Sequence, residues 1–349
     1  MEVESKKEGK EGSVEDIYIG EEVMEETEGE KYLGDIISKD GRNIKNIKAR
    51  VDKGKGIVTR IFNLLDGVPF GKYFFEVALI LRESLLISSV LSNSEAWYHV
   101  TNAEMDLLET VDSMFMRSLF NAPKTTPKEM FYLELGVMPL RDIIRKKRLM
   151  FLHYILHENQ NSMIFKFLES QLKTKNPKDW IMTVWKDLEE LNLKVNIEEI
   201  KDMKKSIFKA MVKEHTETFV FKKLLKMKEN HSKVKTIKHS VFKIRKYLVP
   251  NKISMTKKET QTIFQLRSRI TDVKTNYRGK YECYDCDICE EQEETQEHIL
   301  SCPGILKMKS DKSIKNYEDI NKGNVKKLLD IAKHFEENLQ LREVIFKEK

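Results

Sequence analysis

The chain has 349 residues, 34% of them charged and 40% hydrophobic, a balance that fits a helix-rich protein of two or three domains. Its longest apolar run, 77–91, is interrupted by Arg82, Glu83 and several serines, too polar and too short for a bilayer-spanning helix. The net charge of +6 is unevenly spread: residues 1–31 hold 12 acidic residues against 4 lysines, so the positive excess lies in the rest of the chain, where it is compatible with a polyanionic partner.

Residues 1–16, rich in Lys, Glu and Gly, are expected to form a disordered acidic tail. Segments 16–24 and 31–38 read as two short strands, with the acidic run 25–30 as the turn between them. Ile44, Ile47, Val51, Ile57, Val58, Ile61, Leu64 and Leu65 recur at helical spacing over 43–65, broken or bent near Gly54 and Gly56. A long apolar helix is expected over 74–92. Thr101 followed by Glu104 predicts a capping box and a helix to about Phe120. A short helix starts at Thr126-Pro127, and another element runs over 140–157, carrying Arg141, Arg145, Lys146, Lys147 and Arg148. His153 and His157 stand at i, i+4, but no acidic or cysteine partner has matching spacing, so they read as core-edge or surface histidines. Amphipathic helices follow over 177–192, 197–213 and 215–229, with Trp180 and Trp185 as packing residues. Val249-Pro250-Asn251 breaks the pattern. Thr256 and Glu259 form a second capping box, opening a helix to about Val273, and a last helix covers about 324–341 after a Lys/Asp-rich linker. The expected divisions are 17–160, 161–275, 276–305 and 306–349.

The four cysteines all lie between 283 and 302. Cys286-x2-Cys289, eight residues, then His298-x3-Cys302 sets out two ligand pairs. A tight C-x2-C turn presents two thiolates to one ion, and residues four apart on a helical turn are neighbours. Four soft donors in two pairs suit tetrahedral Zn²⁺ in a closed, structural site. A disulfide set and reduced, unliganded thiols are the competing readings; four cysteines within 20 residues do not staple a chain of this length, and no secretory signal is recognised. Cys283 with Cys286 would make an equivalent pair. Cys286 with Cys289 is preferred because Ile288 supplies an apolar knuckle residue and the pair lies nearer His298.

Several segments carry a family resemblance. Tyr32-Leu33-Gly34-Asp35, Asn93-Ser94-Glu95-Ala96-Trp97-Tyr98, the stretch from Pro127 to Pro139, and Phe264-Gln265-Leu266-Arg267-Ser268-Arg269 ahead of the C-x2-C…H-x3-C motif occur in this order. Together they resemble the region after the palm in reverse transcriptases (RNA-directed DNA polymerases) of non-LTR, LINE-type retrotransposons, across roughly 17–305. The resemblance implies a mainly α fold: a helical thumb/linker bundle with a short N-terminal β-hairpin and a small C-terminal CCHC zinc knuckle. It implies a truncated element whose remaining half grips RNA and/or DNA, as template–primer or target site, during target-primed reverse transcription. The separate catalytic half would be a further partner, and the compartment, nucleus or cytoplasm, stays open. Polymerisation needs Asp carboxylates holding two metal ions, including a F/Y-x-D-D turn. The nearest string is Tyr317-Glu318-Asp319 in a polar linker, so no catalytic residue is assigned and the chain is not expected to be an enzyme alone.

The expected phosphate contacts are Lys45, Lys48, Arg50, Lys53 and Lys55, which interrupt an amphipathic pattern, and a second patch of Arg145, Lys146 and Arg148. Arg267, Arg269, Tyr277 and Lys280, with Tyr281 and Tyr284, mix cations and rings beside the Cys/His motif. That mixture suits single strands, because rings stack on bases while cations meet phosphates. The other reading is a helical scaffold whose zinc knuckle mediates protein–protein contacts, favoured by five glutamates within 290–297, which would repel phosphates.

Overall fold

The computed structural model describes residues 18–20, 22–24, 27–32, 34–70, 73–98, 100–249, 253, 255–277, 279–308, 316–321 and 324–348. Among these the chain is mainly α-helical, with small antiparallel hairpins near the N-terminus and a Cys/His cluster near the C-terminus. The expected tail 1–16, the break at Pro250-Asn251 and most of the polar linker, 309–315, lie outside the described residues. No described helix is long and apolar enough to cross a membrane.

The expected hairpin is present, but 25–30 is not its turn. Tyr18–Ile19 pairs with Glu22–Val23, and Gly29–Tyr32 pairs with Asp35–Ser38, so each expected strand folds back on itself. Gly20 and Gly34 take positive φ, 67° and 92°. Glycine enters that region without the steric cost of a Cβ, which is why the chain reverses there.

The chain divides into two compact units. The first comprises 1–59, 85–112 and 140–213. Helix Ile44–Leu65 runs through Gly54 and Gly56 without the expected break. Gly54 permits close packing: a Cβ there would lie 2.8 Å from Val111 and 3.0 Å from Val90. One turn earlier Arg50 is 5% exposed and ion-paired to Asp35. Its guanidinium also donates to Asn46 Oδ1 (3.2 Å) and to the Ser89 and Val90 carbonyls (3.0 and 3.3 Å), and lies 5.2 Å above the Trp97 ring. Burial raises the Asp35 pKa, but hydrogen bonds from Asn93, Arg50 and Asn46 outweigh it and hold the carboxylate below its ordinary value. A second buried cluster joins helices Leu140–Leu156 and Trp180–Glu190. Asp187 accepts from Arg145 Nε (3.0 Å) and from Arg148 (2.5 Å), and Arg145 also meets Asp142 (2.6 Å) and Glu190. His153 is buried, within hydrogen-bond distance of the Met203 carbonyl (2.9 Å) and stacked on Phe208. The helices expected over 197–213 and 215–229 are instead Ile197–Asp202 and Lys205–Glu229, and Met163–Thr174 is a further helix.

The second unit comprises 60–84, 113–139 and 214–349. Stacked rings of Phe75, Phe120, Phe131 and Phe264 form its apolar centre, with Phe120 and Phe264 3.9 Å apart. Burying each ring contributes about 2–3 kcal/mol. The apolar helix expected over 74–92 is Phe74–Leu81, a π-helical segment Arg82–Ile87 and a short Ser88–Val90 turn. The wider turn begins at Arg82, fully buried and donating to the Met138 carbonyl at 3.1 Å. Helix Lys257–Ser268 starts at the expected capping box, packs on Val325–Glu348 and ends earlier than Val273, where Arg269 turns left-handed at φ 55°.

Beside the ring stack sits a polar knot. Glu134 is fully buried. It accepts from Arg267 Nε (2.9 Å), His239 Nε2 (2.8 Å) and Tyr247 OH (2.9 Å). Burial raises its pKa, but the Arg267 charge and the His239 contact more than reverse this, and Glu134 stays far below the carboxylate range. Burial lowers His239, so the imidazole is neutral and donates from Nε2. Gly136, two residues on, turns left-handed against the Lys243–Ile244 backbone, which a Cβ would approach to 2.4 Å.

Glu134→Gln leaves the buried Arg267 without its carboxylate, and unfolding by urea should show a loss of about 3–5 kcal/mol. The folded pKa of Glu134 lies below its unfolded value of 4.5, so the unfolded chain binds the proton first. The ion pair's contribution is therefore complete above about pH 4.5 and is lost as pH falls toward the depressed value. The wild type should lose stability over that window, and Glu134→Gln should lose less.

Candidate metal centre

Two turns bring the soft donors together. In the first, the Cys286 carbonyl accepts from Glu290 N (2.8 Å), and the Ile288 and Cys289 amides donate to Cys286 Sγ. In the second, Thr295 caps helix Gln296–Ser301 by accepting from His298 N (3.0 Å). Cys302 follows that helix, and its sulfur receives the Gly304 and Ile305 amides. Ile288 joins the two turns: a Cβ on Gly304 would come within 2.6 Å of its side chain.

Ligand atoms of Cys286, Cys289, His298 and Cys302 all lie within 4.8 Å of one another. Cys286 and Cys302 Sγ are 3.8 Å apart, and Cys289 Sγ is 3.3 Å from His298 Nε2. A tetrahedral ion with bonds of about 2.3 Å to sulfur and 2.0–2.1 Å to nitrogen needs edges of about 3.8 and 3.6 Å. The donor set and its spacing fit one metal ion. They do not fit a disulfide, since 3.8 Å is far beyond an S–S bond length of about 2.05 Å. His298 Nδ1 faces Gln292 Oε1 (3.2 Å), so its proton points there and Nε2 keeps the free lone pair. Cys283 stands outside the cluster, exposed, its thiol donating to Asp285 (3.1 Å). That resolves the Cys283/Cys286 alternative in favour of Cys286/Cys289.

The close contact with Cys302 holds the Cys286 thiol well below its ordinary value; burial opposes this, while the Cys289 and Ile288 amides and His298 add to it. The same contact pushes Cys302 up.

The module is anchored to its own unit. Gln296 Nε2 donates to the Leu266 carbonyl (2.9 Å) and Asn338 Nδ2 to the Ile299 carbonyl (2.6 Å). Arg342 pairs with Glu294 at 2.7 Å. Beside it lies a ladder of cations and rings. Lys280 Nζ is 5.2 Å from the Tyr277 ring and 5.4 Å from that of Tyr281. Lys274 Nζ is 5.9 Å from the Tyr281 ring and paired to Asp287 (2.6 Å).

The other expected contacts fall into two groups. Lys45, Lys48, Lys53 and Lys55 are exposed on their helix, Lys45 reaching the Glu28 carbonyl and Lys55 pairing with Asp52. Arg50, Arg145, Arg148 and Arg267 are buried in ion pairs with carboxylates of their own unit and are not available to phosphate. Lys146 is half-buried. Arg269 is half-buried, paired with Glu297, with its guanidinium 4.7 Å above the Tyr317 ring. Gln292, Gly304 and Lys274 were not foreseen; a Gln between the two ligand pairs was the one visible signal. Compared with family models, with curated proteins and with solved structures, the chain matches none.

Elemental analysis of the purified chain should find about one metal ion per protein. Cys289→Ser and His298→Ala should abolish it, and Cys283→Ser should leave it unchanged. Gln292→Ala should weaken metal affinity by about tenfold or more, because it frees the imidazole orientation.

Proposed function

We propose that this chain grips single-stranded nucleic acid through a zinc-organised C-terminal module, as the part beyond the palm of a non-LTR retrotransposon reverse transcriptase would, and that it does not polymerise by itself. The observation that carries the reading is the Tyr277–Lys280–Tyr281–Lys274 ladder beside the Cys/His cluster. Rings offer stacking faces to any base, and the exposed Lys280 ammonium beside them meets a phosphate, while Lys274, paired with Asp287, braces Tyr281. Zinc suits the site because three thiolates and an imidazole at tetrahedral spacing leave no position open, so the ion organises the fold and performs no chemistry. The occupant would be RNA or DNA, with the catalytic half of the element as a further partner.

One observation favours the scaffold reading. The first unit has a groove of about 990 Å³ lined by Phe151, Ile155, Phe167, Leu168 and Trp180 among others. Phe167 is 62% exposed there. Such a wall suits an apolar segment of a protein partner better than a polyanion.

The two readings separate on salt. Affinity for a single-stranded RNA should fall steeply as salt rises, with a slope of about −0.7 per phosphate met. Tyr277→Ala should cost about 1–2 kcal/mol, roughly tenfold in Kd, at fixed salt. Binding that is absent, or indifferent to salt, returns the chain to the scaffold reading.

A further inference from the structure

Two cavities of the second unit adjoin the metal module and differ in kind from the apolar groove. They measure about 260 and 470 Å³ and share Ser232, Lys233, Arg269 and Asn276. Their walls are mostly hydroxyl, amide and charged groups; Thr295, Gln296 and Glu297 bring them to the helix that carries His298. A site of this chemistry takes a polar, anionic group, and its size admits about one nucleotide, not a duplex.

We infer that this cleft seats one phosphodiester unit of a single strand, with Lys233 as its principal cation and Tyr277 at its mouth. The inference rests on the nucleic-acid reading above and adds where the strand goes. Two observations support it. Lys233 is exposed, and among the described residues its ammonium makes only a long 3.4 Å contact with Asn276 Oδ1, so it is open to an incoming anion. Second, Tyr277 belongs to both features: it lines the smaller cavity, and Lys280 lies over its ring. A base stacked at Tyr277 leaves its phosphate at the entrance.

The acidic groups present do not close the site. Glu297 pairs with Arg269 and holds it over Tyr317, while Glu129 pairs with His231 at 3.4 Å. Lys233 has no carboxylate partner in these pairs, so it is the cation that an incoming phosphate meets first.

The test is fluorescence anisotropy of the full-length, metal-loaded chain with a labelled ten-nucleotide uridine RNA over a range of salt. Lys233→Ala, an exposed change that should not affect folding, is expected to weaken binding by about fivefold and to reduce the slope of log K on log salt by about 0.7, one phosphate contact. Lys233→Arg should restore both, and Lys209→Ala, exposed on helix Lys205–Glu229 and outside every candidate contact, should change neither. If wild type binds with a salt slope and Tyr281→Ala weakens it, while Lys233→Ala leaves affinity and slope intact, the cleft is overturned and the ladder stands. If wild type does not bind the RNA, both are overturned.

Discussion

The second unit depends on one buried ion pair. Glu134 and Arg267 are 133 residues apart, and neither is more than 1% exposed. Burying a lone carboxylate or guanidinium would cost several kcal/mol, so each is tolerable only because the other is there. Around that pair the unit gathers its remaining polar needs: neutral His239 and Tyr247 fill the other lone pairs of Glu134, and Arg267 NH1 reaches the Ile320 carbonyl at 2.5 Å. The same helix that carries Arg267 carries Phe264 into the ring stack, so apolar and ionic centres are set by one element.

The metal module takes its position from that helix. Leu266, adjacent to Arg267, offers its carbonyl to Gln296 and to Tyr317 OH (2.7 Å). A helix C-terminus leaves carbonyls short of intrahelical partners, and here Gln296 of the module and Tyr317 beyond it add donors. A metal ion bound here would be coupled to the packing of this helix, because the two short turns that carry the soft ligands meet through Ile288 and an ion would close them.

Much of the fold was legible. Both capping boxes, the helical spacing and the four ligands depend on residues close in sequence, and local spacing reports local geometry. What failed was long-range. Arg50, Arg145, Arg148 and Arg267 look like phosphate contacts because a sequence shows their charge and hides their partners, which lie 15, 42, 39 and 133 residues away. Gly54 reads as a helix breaker for the same reason, since Val90 and Val111, the side chains that require it, are remote. Gly20 and Gly34 erred in the opposite sense: each segment read as one continuing strand, while positive φ at a single glycine reversed it.

The motifs behind the family resemblance acquire a physical meaning from these pairings. Asp35 of the Tyr32–Asp35 segment accepts from Asn93 of the Asn93–Tyr98 segment (2.7 Å), and both meet around Arg50 and Trp97. Glu134, from the stretch ending at Pro139, pairs with Arg267 of the Phe264–Arg269 segment. Each unit thus ties two of the landmarks together through one buried arginine. Arginine suits this role because its planar fork satisfies several acceptors at once and it sheds hydration more readily than an ammonium. Most of the described lysines remain at the surface, strongly hydrated, on flexible stems; Lys228, 5% exposed and bonded to the Ile237 carbonyl, is an exception. Contact with a polyanion would then fall to lysines and to the rings beside them, a division of labour that total charge could not reveal.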